Sequence, residues 1–115
     1  MNSGELRRLC AVPSCFLEDA VAFRRFVSYE ADEPRLRFVA ASLVGALADL
    51  DRGAGDPHKC LRAYRLASRL LVGVHLEDNA ARREKAGFHA RLRGSQQGLL
   101  AWLRTEGITI TFEGK

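Results

Sequence analysis

His58, Lys59, Arg62, Arg65 and Arg69 are the residues whose types and spacing point most directly to a chemistry. Counted from His58, the three arginines fall at offsets of four, seven and eleven residues. On a helix of about 3.6 residues per turn these positions share one face, and Lys59 lies beside them. No Asp or Glu stands four residues to either side of any of them, so the row carries no neutralising pair of its own. At its plainest such a row is a solvated face. Read more sharply, it is a surface for an anion or an acidic partner.

Other chemistries find no residues to carry them. Cys10, Cys15 and Cys60 make an odd count, against a disulfide framework. Cys10 and Cys15 have no second pair to complete a zinc site, and Cys60 falls where a small core residue is wanted. There is no phosphate-cradling glycine loop, no dinucleotide glycine pattern after a strand, no paired-carboxylate helix and no Glu-x-x-His segment. His75 with Glu77 and Asp78 sits at a helix junction, where capping accounts for the acids. The expectation is therefore no catalytic residue, no metal and no cofactor.

Two segments resemble known families. Arg83-Glu84-Lys85-Ala86-Gly87-Phe88-His89 resembles the Arg-to-His motif of the HEPN-type ribonucleases, which are small helical bundles. The resemblance covers one helical segment, and the polar residue usual after the arginine is Glu84 here. It implies that Arg83 and His89 act together on an RNA phosphodiester near a dimer cleft. His89-Ala90-Arg91-Leu92-Arg93-Gly94-Ser95 resembles the phosphoacceptor segment of histidine phosphotransfer domains, also four-helix bundles. That family places its histidine one residue nearer the Leu-Arg-Gly-Ser run. On a helix the difference rotates the side chain by about 100°.

The elements that must position these residues follow from periodicity. Asp56 reads as an N-cap and Pro57 as the first helical residue. Cys60, Ala63, Tyr64, Ala67, Leu70, Leu71 and Val74 then form one apolar stripe. This central helix should bury Tyr64, Leu70 and Leu71 and expose Arg62, Arg65 and Arg69. Before it, a helix from about Cys15 to Tyr29 carries Phe16, Ala20, Phe23 and Val27, widened by Leu17, Val21 and Phe26. Pro13 should close the arm ahead of it, with Ser14 as its cap. A second helix starts at Pro34, capped by Asp32 or Glu33, and runs to about Asp51 on Leu36, Val39, Ala40, Leu43, Ala46, Leu47 and Leu50. Gly45 and its alanine neighbours would admit a close helix, and Gly53 ends the element. The last helix runs from about Asn79 to Thr105 on Ala81, Phe88, Leu92, Ser95, Leu99 and Trp102. Gly87, Gly94 and Gly98 weaken it or mark close packing, and Gly107 stops it.

After Gly107 the pattern changes to strict alternation over residues 108–112, with Ile108, Ile110 and Phe112 on one face. That is a strand signal. A lone strand needs a partner for its amides: the arm around Leu9 to Val12, its own copy in a homodimer, or a strand from another protein.

Residues 1–115 are expected to form a single helical domain: all-α, roughly a four-helix bundle, with a short C-terminal β-strand. Charge is segregated within it. Residues 1–56 carry a formal −2, residues 57–104 carry +7 and the tail carries −1, for a net +4. The basic half could meet an acidic protein, a nucleic acid, or the acidic half of its own fold. Fifteen of the eighteen basic residues are Arg, as a GC-rich bacterial coding sequence would produce. Arg7 and Arg8 precede a short apolar patch, but Pro13, Glu18 and Asp19 break any signal-peptide pattern. No run approaches the roughly 18 apolar residues of a membrane span, so the chain is expected in the cytoplasm and not in a membrane. The functional expectation is a non-enzymatic bacterial protein-interaction module: a regulator, adaptor, secretion-type chaperone or immunity protein. It would bind through His58, Lys59, Arg62, Arg65 and Arg69 and pair through Ile108, Ile110 and Phe112. The alternatives are a nucleic-acid-binding protein using the basic C-terminal half and, third, a HEPN-like ribonuclease.

Overall fold

The computed structural model describes residues 12–108. Among them the elements are α1 (Val12–Glu30), α2 (Pro34–Asp51), α3 (Pro57–Val72) and α4 (Asn79–Thr105), with no strand. Each helix packs on the next in the chain, and α1 also packs on α4. The four therefore close into a ring of neighbours around one core, the arrangement of a helix bundle.

The helix starts are set by local chemistry. Glu33 caps α2 by accepting from the Arg35 amide at 3.0 Å, while Asp32 stands 3.8 Å from the Arg37 guanidinium instead. Asp56 caps α3 by accepting from the His58 amide at 3.0 Å. Asp78 caps α4 by accepting from Ala81 at 2.9 Å. Each satisfies an amide the first turn leaves without a partner. Pro34 and Pro57 occupy opening positions, where no amide bond is lost. The same rule corrects the expected start of α1. That helix begins at Val12 and takes in Pro13, so Pro13 does not close an arm and Ser14 does not cap. Pro13 is the second residue of the helix, where a proline costs no intrahelical amide bond.

Two helix ends share one device. Gly53 (φ 82°) and Gly107 (φ 83°) adopt the left-handed conformation. After Asp51, the Gly53 amide donates to Leu50 O and the Ala54 amide to Asp49 O. After Thr105, the Gly107 amide donates to Arg104 O and the Ile108 amide to Leu103 O. These are the paired bonds of a Schellman ending. Ile108 is exposed and its amide donates to the end of α4, so it is not available as a ladder donor. Ile110 and Phe112, the rest of the expected strand face, lie outside the described residues, as does the arm around Leu9.

The core collects Phe23, Phe26 and Val27 of α1, Leu36, Leu43 and Leu47 of α2, Cys60, Leu61, Tyr64 and Leu71 of α3, and Phe88, Leu92, Leu99 and Leu103 of α4. The Phe88 ring lies 5.8 Å from Phe23 and 5.0 Å from Phe26 between centroids, in tilted pairs across the α1–α4 contact. Several details differ from periodicity. Val21 is exposed rather than on the stripe. Leu70 is only half-buried, whereas Leu61, outside the expected stripe, is fully buried. Gly45 admits no close neighbour, since nothing lies within 4 Å of where its Cβ would stand. The close approach occurs at Gly98 instead, where an added Cβ would come within 3.1 Å of the Phe16 ring.

That contrast gives a test. Gly87 and Gly94 lie inside α4 with open space around them. Replacing either by alanine should raise stability by about 0.5–1 kcal/mol, the helix-propensity difference. Gly98→Ala should gain nothing or lose, because Phe16 must shift. Urea titrations followed by circular dichroism decide it, and an equal gain at Gly98 would contradict the Phe16 contact.

Candidate functional site

The basic row lies on α3, whose inner face is anchored by Cys60, Leu61, Tyr64, Ala67 and Leu71. Burial pushes the Cys60 thiol up to about 11, and the negative charges of Asp56 and Asp49 add to the effect. Burial likewise raises the Tyr64 phenol well above its ordinary range, against a smaller opposing influence of the Ser95 hydroxyl. The Tyr64 hydroxyl makes no hydrogen bond of good geometry. Both groups belong to the uncharged core that holds the opposite face of α3 outward.

On that outward face Arg62 and Arg69 are exposed and Arg65 is half-buried. Arg62, Arg65, Leu66 and Arg69 line one shallow depression of about 410 Å³. Arg65 and Arg69 also form one wall of a groove of about 470 Å³ whose other wall is α4, through His89, Arg93, Gln96 and Gln97. Ser68, Val72 and Leu100 complete its lining, and no carboxylate is among the lining residues. The Ser68 hydroxyl is buried without a hydrogen-bond partner. Among the described residues, neither Arg69 nor Arg93 makes an ion pair with a carboxylate. Arg69 also borders a separate depression lined by Glu30, Asp32, Glu33 and His75, so it stands at the edge of the positive region.

Lys85 holds the two walls together. Its Nζ reaches back from α4 to donate to the carbonyl oxygens of Val72, at 3.3 Å, and Val74. It thereby satisfies carbonyls that the end of α3 leaves open.

Of the expected partner-binding residues, the structure thus brings Arg62, Arg65 and Arg69 to one continuous basic surface. His58 and Lys59 are exposed but line neither depression. His58 Nδ1 lies 3.4 Å from the Asp56 carboxylate that caps the same helix. The α4 residues His89, Arg93, Gln96 and Gln97 were not among those expected to bind. Their three- and four-residue spacing is the signal that they share a helix face.

Arg83 and His89 do not share a face. Six residues of helix place them about 120° apart. Arg83 is exposed and is not among the residues lining the groove that contains His89. Among the described residues no cluster of His, Cys, Asp and Glu could hold a metal ion. No described helix is long and apolar enough to cross a membrane.

No family model, curated protein or solved structure matches the chain. The described residues form an all-helical bundle with a two-walled basic groove between α3 and α4.

Proposed function

We propose that the chain is a non-enzymatic protein-interaction module that receives an acidic partner on its basic α3–α4 surface. A cytoplasmic regulator, adaptor, secretion-type chaperone or immunity protein is the kind of module this reading covers. One observation carries the reading: arginines from two helices converge on a groove that contains no carboxylate. Such a surface raises the local concentration of an acidic partner and speeds its docking. Nucleic acid is the second reading, favoured by the +7 formal charge of residues 57–104. Against it, no Phe, Tyr or Trp lines either basic depression, so the usual stacking platforms for successive bases are missing. The ribonuclease reading has little support from the separate faces of Arg83 and His89.

The test is charge reversal. Arg62→Glu, Arg65→Glu and Arg69→Glu together should leave the helical circular dichroism intact and weaken a co-purified partner by about a hundredfold or more, since each reversed contact contributes on the order of 1 kcal/mol. An unchanged affinity rejects the row as a site. A partner fraction that is nuclease-sensitive and absorbs at 260 nm, with affinity falling steeply in salt, moves the assignment to nucleic acid.

The second contact surface is the alternating segment 108–112, acting as a strand paired with a second copy of the chain. Its support is the Gly107 ending, which stops α4 cleanly, and the placing of Ile108, Ile110 and Phe112 on one face. A two-fold pairing satisfies both copies at once and covers an edge that would otherwise promote aggregation. Ile110→Pro removes a ladder donor and should convert a dimer to a monomer with the helices still folded, as read by size-exclusion with light scattering. A wild-type chain that is monomeric at high concentration removes this part of the proposal.

A further inference from the structure

We infer that the groove between α3 and α4 is a receptor for a phosphomonoester group, displayed by a phosphorylated side chain of the acidic partner. This rests on the reading of the basic surface as the docking face and names what it recognises. Three features favour a phosphoryl group over a carboxylate. First, donors come from both walls: Arg69 on α3 faces Arg93, Gln96 and Gln97 on α4. A carboxylate has two oxygens and is satisfied by one guanidinium fork, whereas a phosphomonoester presents three oxygens and close to two charges. Second, Arg69 and Arg93 are exposed, and neither is tied to a carboxylate among the described residues. No internal ion pair must break before they can bind. Third, Ser68 lines the same groove with a buried hydroxyl that has no partner. Left unpartnered such a donor is costly, and it belongs to a residue that stands beside Arg69 in the groove lining.

At about 470 Å³ the groove falls in the range of small-ligand sites, roughly 300–1,000 Å³. With no Phe, Tyr or Trp in its lining it lacks the row of large rings on which successive bases stack. A phosphodiester backbone also offers only one charge per phosphate, which uses less of the converging donor set.

The experiment uses the full chain, isotope-labelled, with three probes: phenyl phosphate, benzoate and a single-stranded oligodeoxyribonucleotide. Phenyl phosphate should give saturable NMR shifts at Arg69, Arg93, Gln96 and Gln97. Its affinity should exceed that of benzoate by about tenfold or more, a difference of about 1.4 kcal/mol. Arg93→Ala should lose about tenfold with the circular dichroism unchanged, and Arg93→Lys, which keeps the charge but not the fork, should recover only part. Benzoate binding as tightly as phenyl phosphate, or Arg93→Ala binding phenyl phosphate like the wild type, overturns the inference. So does an oligonucleotide that binds more tightly than the monoester, with shifts spreading along α3 to Lys59 and Arg62. Arg93 lies on the opposite helix from the charge-reversed row. A failure of phosphate recognition is therefore distinct from a failure of docking, which the α3 reversal reports on the partner itself.

Discussion

Phe23→Ala should lower the unfolding free energy by about 3–5 kcal/mol, the range for removing a buried aromatic ring from a packed core. Phe23 is fully buried, and its ring meets Phe88 at 5.8 Å across the α1–α4 contact. Removing it takes away the dispersion contacts of both faces and leaves a void that rigid helices fill only in part. Total stability for a domain of this size is about 5–15 kcal/mol, so the loss is a large fraction of the whole. The melting temperature should fall by more than about 10 °C. Phe38→Ala is the matched comparison. That ring is 73% exposed, and its loss should change stability by no more than about 0.5 kcal/mol. Paired urea titrations give the difference directly. A Phe23→Ala chain within about 1 kcal/mol of the wild type would mean that α1 can slide on α4.

The second large effect is alkaline. In the fold the Cys60 thiol is held up to about 11, first by burial and then by Asp56 and Asp49. In the unfolded chain it ionises near its ordinary pKa of about 8.5. Because the fold favours the neutral thiol, this stabilisation is fully present below the unfolded pKa. It is lost as pH rises through the folded one. Between roughly pH 8.5 and 11 the domain should lose about 3 kcal/mol from this residue. Tyr64, whose phenol is also raised by burial, adds a further loss above about pH 10, where an unfolded tyrosine ionises. Cys60→Ala should be slightly less stable at pH 7 and should show a visibly flatter decline between pH 8.5 and 10. Urea midpoints at four or five pH values compare the two chains. Parallel curves would show that the thiol is not the group responsible.

Much of this fold was legible because its boundaries are written in single residues. Asp56 before Pro57 and Glu33 before Pro34 mark starts, Gly53 and Gly107 mark stops, and the resulting bounds of α2 and α4 agree with the structure. The sequence is ambiguous where one residue type serves two purposes. Proline both ends helices and opens them, so the expected start at Cys15 lies three residues inside a helix that begins at Val12. Glycine both weakens a helix and admits a neighbour, and only tertiary contact shows that Gly98, not Gly45, has the neighbour. The groove was half legible. Arg65 and Arg69 follow from the period of α3, and His89 and Arg93 share a face of α4. No periodicity says which turn of α4 lies opposite which turn of α3. That register depends on packing in the core and on Lys85 closing over the end of α3.

The closed ring of helices has a kinetic consequence. Three of its contacts join neighbours in sequence across the short connections 31–33, 52–56 and 73–78, so little chain entropy is lost in making them. The α1–α4 contact alone must bring together segments from opposite ends of the described chain, and loop-closure entropy is greatest there. That seam should form late on the folding pathway and open first on the way out. Phe23 and Phe26 against Phe88, and Phe16 against Gly98, all fall on it. The bundle thus sets its aromatic contacts across its most entropically demanding closure. Substitutions there should act chiefly on the unfolding rate, leaving the speed of collapse to the local helix pairs.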